Sequence, residues 1–141
     1  MNTVSDEVLK KKYDKLYQKF VKGKFLDVIR ECNKILRERK HQLFFNLLSV
    51  AYQKNGEIEK SIDVMREALT LNPNHPNFLN NIGTCFYKLH KYSVAKKYYE
   101  KGLEIDNNHL HILNNLGNLK RETNKVEESI EYYKKVLSIQ K

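Results

Sequence analysis

The sequence has few cysteines, no long apolar run and no alternating strand pattern, and each shortage excludes a class of protein. No apolar stretch approaches the roughly 20 residues that a membrane-spanning helix needs, so we expect no membrane partner. The start, MNTVSDEVLKKKYDKL, lacks the apolar core of a secretory signal, which favours a cytoplasmic protein. Cys32 and Cys85 have no paired metal-ligand spacing and lie among apolar residues, which predicts reduced, buried thiols.

Motifs for catalysis or for a cofactor are also missing. The sequence contains neither a glycine-rich phosphate loop nor a nucleophile elbow. Its five histidines are spread out, and the pair His109 and His111 lacks a further convincing set of metal ligands. We therefore predict a protein that is not an enzyme and that carries neither a cofactor nor a metal.

Composition indicates a folded chain with a basic N-terminal part. The 141 residues are 40% hydrophobic and 30% charged, which is typical of one globular domain spanning 1–141. Up to His41, 12 Lys and Arg stand against 6 Asp and Glu, and this part supplies most of the formal charge of +9. Two interpretations stay open: a solvated basic face, or N-terminal helices that attract nucleic acid. The preference for Lys over Arg, as in AT-rich genomes, favours the first, so nucleic acid is not the expected partner.

What the chain has in abundance is internal repetition. The stretch HPNFLNNIGTCFYKLHKYSVAKKYYEKGLEIDNN begins at His75, and its pattern returns 34 residues later at His109. A further copy begins near Gln42 and a shorter, degenerate one precedes it. Repeats of this period stack one helical unit on the next. The copies cover about residues 10–41, 42–75, 76–109 and 110–141.

Each copy predicts two amphipathic helices, because its apolar residues recur at three- and four-residue spacing. Ser5 is the expected N-cap of the first helix, and Gly23 is expected to end it. Small residues recur at one place in the first helices and at another in the second helices, where they let backbones approach. They are Ser49, Gly83 and Gly117, and Ser61, Ala95 and Ser129. We expect a large neighbour such as Tyr99 or Tyr133 to fill the adjoining space.

The pattern of the third copy resembles the tetratricopeptide repeat. The residues that carry the resemblance are Leu79, Ile82, Gly83, Phe86, Ala95, Tyr99 and Gly102. The resemblance implies an all-α fold, a right-handed α-solenoid of about four helix-turn-helix repeats. In the first copy Tyr17 and Val28 replace the small residues, so that copy departs from the family pattern.

In this family the first helix of each repeat lines a concave groove, and here those helices carry recurrent asparagines. The amides resemble the asparagine ladder of O-linked N-acetylglucosamine transferases, which grips peptide backbone, although Leu47 replaces one ladder position. An alternative stays open, that the amides bond to one another or to neighbouring helix backbones. The predicted peptide-binding residues are Asn46, Asn80, Asn81, Asn114, Asn115 and Asn118, bordered by Tyr87, Lys88, His111 and Arg121.

The resemblance implies a non-catalytic scaffold that binds an extended peptide or protein segment. One alternative is an N-terminal substrate-recruiting module of a larger glycosyl- or sulfotransferase, and the other is nucleic-acid binding by the basic N-terminal helices. We expect no clamp for a terminal carboxylate, since Asn77 and Asn81 stand where such family members use cations. No polar helix follows to cover Ile130, Tyr133 or Leu137, so we also expect a homo-oligomer through the last helix, or further sequence that covers it.

Overall fold

The computed structural model describes residues 5–140, and within that range it contains eight α-helices and no strand. The predicted pairs of helices are therefore confirmed, and the all-α fold with them. The helices are α1 Asp6–Val21, α2 Phe25–Glu38, α3 Gln42–Lys54, α4 Ile58–Leu71, α5 Pro76–Lys88, α6 Tyr92–Ile105, α7 Leu110–Glu122 and α8 Val126–Ile139. None of them is long and apolar enough to cross a membrane.

Helix starts and turns follow local chemistry. The Ser5 hydroxyl accepts a hydrogen bond from the Val8 backbone N–H at 3.3 Å, which confirms the predicted N-cap. Gly23 has a φ of +79°, as expected where a helix ends in a left-handed residue. The same turn recurs at Gly56, but the next two copies place His90 and Asn124 there, each with a φ of 61°. Asparagine tolerates this conformation well, whereas a histidine there is uncommon.

The chain forms two compact units, one up to Val64 and one from Met65 onward. In the first unit α2 packs on α3, and α1 contacts both of them. The Tyr13 ring meets the Phe44 ring edge-on at 6.0 Å. Cys32 lies in this core, where burial raises the pKa of its thiol to about 12, and Cys85 is buried in the second unit. Both cysteines are free thiols, as the sequence predicts.

A buried polar contact joins α3 to the start of α4 inside the first unit. The Ser61 hydroxyl donates to the Ser49 backbone carbonyl at 2.9 Å, and the two hydroxyl oxygens are 2.7 Å apart. Because the Ser61 proton is already committed, the Ser49 hydroxyl donates to Ser61 Oγ. Gln53 Nε2 lies 3.4 Å from Ser49 Oγ, so it joins the same buried group. Small polar side chains thus bring these helices together without leaving a buried hydroxyl unpaired.

In the second unit α5 packs on α6, α7 packs on α8, and both α5 and α6 contact α7. The predicted contact between small residues and tyrosines is confirmed. A side chain at Gly83 would begin 2.7 Å from the Tyr99 ring, and one at Gly117 would begin 2.6 Å from the Tyr133 ring. Tyr99 is only 1% exposed, so its ring fills the space that the missing Cβ leaves.

Candidate peptide-binding face

The first helices of the two repeats in the second unit, α5 and α7, are in contact and present a polar face. Five residues, here called the asparagine face, form its centre: Asn80, Thr84, Asn114, Asn115 and Asn118. On α5 its members are one helical turn apart, and on α7 they recur at three- and four-residue spacing, so each helix contributes one stripe. Asn114 is exposed, and the other four residues are half-buried.

A hydrogen bond between two amides joins the two stripes. Asn115 Nδ2 donates to Asn80 Oδ1 at 2.8 Å, and it lies 3.4 Å from Thr84 Oγ1. The pairing of the amides with one another, the alternative left open by the sequence, therefore occurs here. This hydrogen bond uses only one atom of each amide. The other two atoms, Asn80 Nδ2 and Asn115 Oδ1, have no partner within residues 5–140, and neither is fully buried. One donor and one acceptor of the pair therefore remain.

Thr84 connects the asparagine face to the core, and the sequence reasoning missed it. Its hydroxyl donates to the Asn80 backbone carbonyl at 2.9 Å, and the Tyr99 hydroxyl lies 3.0 Å from it. Since the Thr84 proton is committed to the carbonyl, Tyr99 donates to Thr84 Oγ1. The 34-residue register could have found this residue, because Thr84 occupies the place of Asn118 one copy earlier.

Asn118 plays a matching part in the last repeat. Its Oδ1 accepts a hydrogen bond from the Tyr133 hydroxyl, and the Tyr133 ring packs over Gly117. Each of the two tyrosines that pack against a glycine therefore donates a hydrogen bond to a member of the asparagine face. This arrangement fixes the positions of Thr84 and Asn118 from below.

Larger side chains border the face. Tyr87 is half-buried, and its phenol pKa is raised, first by burial and then by the nearby Glu122 carboxylate, while Arg121 acts in the opposite direction. Because Glu122 and Arg121 both act on its pKa, Tyr87 of α5 lies near the C-terminal end of α7. Lys88, His111 and Arg121 are exposed. The border therefore offers one aromatic ring and cationic groups beside the amides.

Two predicted residues are not among the five that define the asparagine face. Asn46 lies on α3 in the first unit and is half-buried. Asn81 lies on α5, about a quarter turn from Asn80, and is also half-buried. Leu47, which breaks the asparagine pattern, is 4% exposed and belongs to the core of the first unit.

Histidine caps are a second feature that the sequence reasoning missed. His109 Nδ1 accepts from the Ile112 backbone N–H at 3.2 Å, and its Nε2 lies 2.7 Å from Asn77 Oδ1. A neutral imidazole with its proton on Nε2 satisfies both contacts. His41 Nδ1 caps α3 in the same way through Leu43 N–H at 3.1 Å. Because His41 and His109 are two periods apart, the register contained the signal.

The basic N-terminal part forms a shallow groove inside the first unit. Its cavity of about 240 Å³ lies between α1 and α2, with Leu16 and Ile35 as an apolar floor. Six charged residues line it: Lys12, Lys15, Lys19, Glu31, Lys34 and Glu38. The two carboxylates interrupt the cationic rim, and nucleic-acid binding by these helices stays an untested alternative. Across residues 5–140 no three His, Cys, Asp or Glu side chains gather as a metal site would require.

Comparison with known proteins identifies the repeat. Sequence models of the family described as tetratricopeptide repeat match residues 44–75 and 79–141, which together make up more than half of the chain. A search of characterised proteins by sequence gives no match.

Solved structures share the fold. A crystal structure of MamA has a TM-score of 0.71 at 19% identity, covering 86% of this chain and 72% of that chain. MamA from residue 41 to its end, from Desulfovibrio magneticus RS-1, has a TM-score of 0.75 at 13% identity, covering 91% and 73%. The first such repeat domain of Spaghetti (RPAP3), bound to the HSP90 peptide SRMEEVD, has a TM-score of 0.64 at 21% identity, covering 69% and 77%. The helix pairs, the small-residue contacts and both family matches agree: the chain belongs to the tetratricopeptide repeat family.

Proposed function

We propose that this protein is a non-catalytic scaffold that binds an extended peptide or protein segment along the asparagine face. One observation carries the proposal: Asn80 and Asn115 hold each other through one hydrogen bond and still offer a donor and an acceptor. An extended backbone presents a carbonyl and an N–H at each residue, so it can accept from Asn80 Nδ2 and donate to Asn115 Oδ1. Recognition of this kind depends little on the ligand's side chains.

The support beneath the pair favours binding without rearrangement. Thr84 is held between the Asn80 carbonyl and the Tyr99 hydroxyl, and Tyr99 is buried. An amide that is already oriented loses less conformational entropy when a ligand arrives, which increases affinity. Tyr87 and Arg121 at the border are suited to hold aromatic, apolar or acidic side chains of the ligand.

A structural neighbour offers a precedent for peptide binding by this fold. The Spaghetti (RPAP3) repeat domain was solved with an HSP90 peptide. At 21% identity that likeness concerns the fold, and the residues of the two grooves need not correspond. We propose that the present protein recognises an internal stretch of backbone rather than a terminal carboxylate, because amides rather than cations occupy the centre of its polar face.

The test begins with selection of binding peptides from an unbiased displayed library, followed by calorimetry with the tightest binder. Asn80→Asp keeps an oxygen that accepts from Asn115 but removes the outward donor. Loss of one such hydrogen bond should weaken binding roughly two- to tenfold. Asn107→Asp is the matched control, since it adds the same charge in the exposed turn after α6. We expect that control to bind the peptide like the wild type.

Circular dichroism would establish that both variants remain folded. Equal affinity of the Asn80 variant and the control would refute recognition through the amide pair. A library that yields only peptides requiring a free C-terminus would refute recognition of internal backbone.

A further inference from the structure

Helix α8 carries an apolar stripe that the second unit leaves exposed. Val126 is 52% exposed, Ile130 45% and Leu137 68%, while Tyr133 lies between them and is half-buried. Their spacing of four, three and four residues is that of alternating d and a positions in a heptad. Large side chains at such positions form a narrow seam suited to another helix.

Comparison with α6 indicates what kind of partner this stripe fits. Leu103 and Tyr99 of α6 stand one period before Leu137 and Tyr133, and α7 packs against α6. Tyr99 is fully buried, whereas Tyr133 is only half-buried. The surface of α8 is therefore of the kind that a helix covers elsewhere in the same unit.

The face of α1 that corresponds to the packing face of α3 is polar, although α1 exposes Val8, Tyr17 and Val21 elsewhere on its surface. In α3, Phe44, Leu47 and Ala51 form a buried face. Counted from the turn glycines Gly23 and Gly56, the first two copies are 33 residues apart, which puts Lys11, Asp14 and Gln18 of α1 at those places, and all three are exposed. The same count puts Leu16, and not the predicted Tyr17, at the place of Ser49. A charged face makes a poor partner for the α8 stripe, which disfavours assembly of copies head to tail.

We propose that the stripe binds α8 of a second copy of this chain, antiparallel and related by a two-fold axis. Antiparallel pairing packs a positions against d positions. Val126 then meets Leu137 of the second copy, and Ile130 meets Tyr133 of the second copy. The contact is self-complementary, as a closed two-fold interface requires, and it sets the two helix dipoles in opposite directions.

The charged residues beside the stripe favour a second copy of this chain as its partner over an unrelated apolar helix. Glu127 and Lys134 follow Val126 and Tyr133 by one residue, so both lie along the same edge of the stripe. Across the two-fold axis each Glu127 faces Lys134 of the other copy, which gives two ion pairs. Glu127 has no ion pair within residues 5–140, and Lys134 has a long, exposed one of 3.9 Å to Glu131. Parallel pairing would set Lys134 opposite Ser129, which is buried in its own unit, and would leave Glu127 without a facing residue on α8.

Sedimentation velocity of the full chain, from micromolar to near-millimolar concentration, tests the proposal. A seam of one helix per copy is small for an interface, so we expect a reversible dimer with a dissociation constant in the micromolar range. Leu137→Glu should weaken the dimer about tenfold or more, because two buried contacts per dimer are lost. Leu26→Glu is the control, since Leu26 is 62% exposed on α2 and carries the same change. A monomer at every concentration would overturn the proposal, as would equal effects of the two variants.

A charge exchange tests the antiparallel register. Glu127→Lys and Lys134→Glu should each weaken the dimer about two- to tenfold, because each variant sets like charges opposite one another. The double variant restores opposite charges and should recover wild-type association. Lack of recovery, with both single variants weakened, would overturn the antiparallel register. All three variants should keep the helical circular dichroism of the wild type, because both side chains are exposed.

Discussion

The two helices of a repeat meet at the same position in both units, but the residues at this contact differ. In the first unit Ser49 and Ser61 share a buried hydrogen bond, and Gln53 completes a small polar group. In the second unit the first helices carry glycine at that place, and a tyrosine ring lies against each glycine. Both solutions let backbones approach closely, but the second depends on shape and the first on hydrogen bonds.

The difference has a consequence for the candidate site. The serine group of the first unit is wholly buried and ends within the core. In the second unit the tyrosines reach outward: Tyr99 bonds to Thr84, and Tyr133 bonds to Asn118. In the second unit, core packing and the asparagine face are therefore connected through these two hydroxyls. Substitutions in the contacts that join the helix pairs of the two units should therefore differ in their effects.

The largest difference is expected when the ring itself is removed. Tyr99→Ala should lower the free energy of unfolding by about 3–5 kcal/mol, because it empties a large, fully buried site and leaves Gly83 without its packing partner. Ser61→Ala in the first unit removes a hydroxyl and leaves little empty volume, so it should cost only about 1 kcal/mol. Urea unfolding followed by circular dichroism measures both values. A smaller loss at Tyr99 than at Ser61 would contradict the comparison.

The second-largest difference in stability is expected when one methyl group is added at the glycine of the second unit. Gly83→Ala places a Cβ 2.7 Å from a Tyr99 ring that cannot move away, so we expect a loss of about 1–3 kcal/mol. This loss should appear although alanine is the better helix former by about 1 kcal/mol. Ser49→Ala is the control at the equivalent place, and it should cost less than about 1 kcal/mol because Ser61 keeps its bond to the Ser49 carbonyl. Stabilisation by Gly83→Ala would show that the ring is not confined.

Acidification should affect the second unit through its histidines. Burial lowers the pKa of His109 below the ordinary 6.5, and His111 acts in the same direction while Asp106 opposes it. Burial, and then His109, also lowers the pKa of His75. The folded state thus prefers neutral imidazoles, so its stability is full above pH 6.5 and falls as the pH drops below that value.

A capping substitution isolates this effect. His109→Asn keeps a good N-cap that does not titrate, so the loss of stability on acidification should be smaller than in the wild type. His90→Asn is the control, because His90 is an exposed turn residue that caps no helix. Denaturant unfolding from pH 7.5 down to pH 5 measures the profiles. An unchanged profile for the His109 variant would contradict a role for this cap.

The repeat register predicted much of the fold because position within a repeat fixes what a residue packs against. It gave the helix pairs, the places of the small residues and the tyrosines that face Gly83 and Gly117. It could not give the partner of each amide, since Asn115 bonds to Asn80 only in one side-chain rotamer. His90 was also missed as a left-handed turn residue, because the chain places glycine there only in earlier copies. Contacts between rotamers and departures from the repeat need coordinates.

The smallest expected effect tests whether core and face are linked in the second unit. Tyr99→Phe keeps the ring against Gly83 and removes only the bond to Thr84, so stability should fall by about 0.5–1.5 kcal/mol. The side-chain amide signals of Asn80 and Asn115 should shift in the NMR spectrum, because Thr84 contacts both residues. Tyr98→Phe is the control, since the Tyr98 ring stacks on Phe86 and its hydroxyl has no hydrogen bond within residues 5–140. Equal shifts in both variants, or none in either, would mean that the asparagine face is positioned by its helices alone and not by the buried tyrosine beneath it.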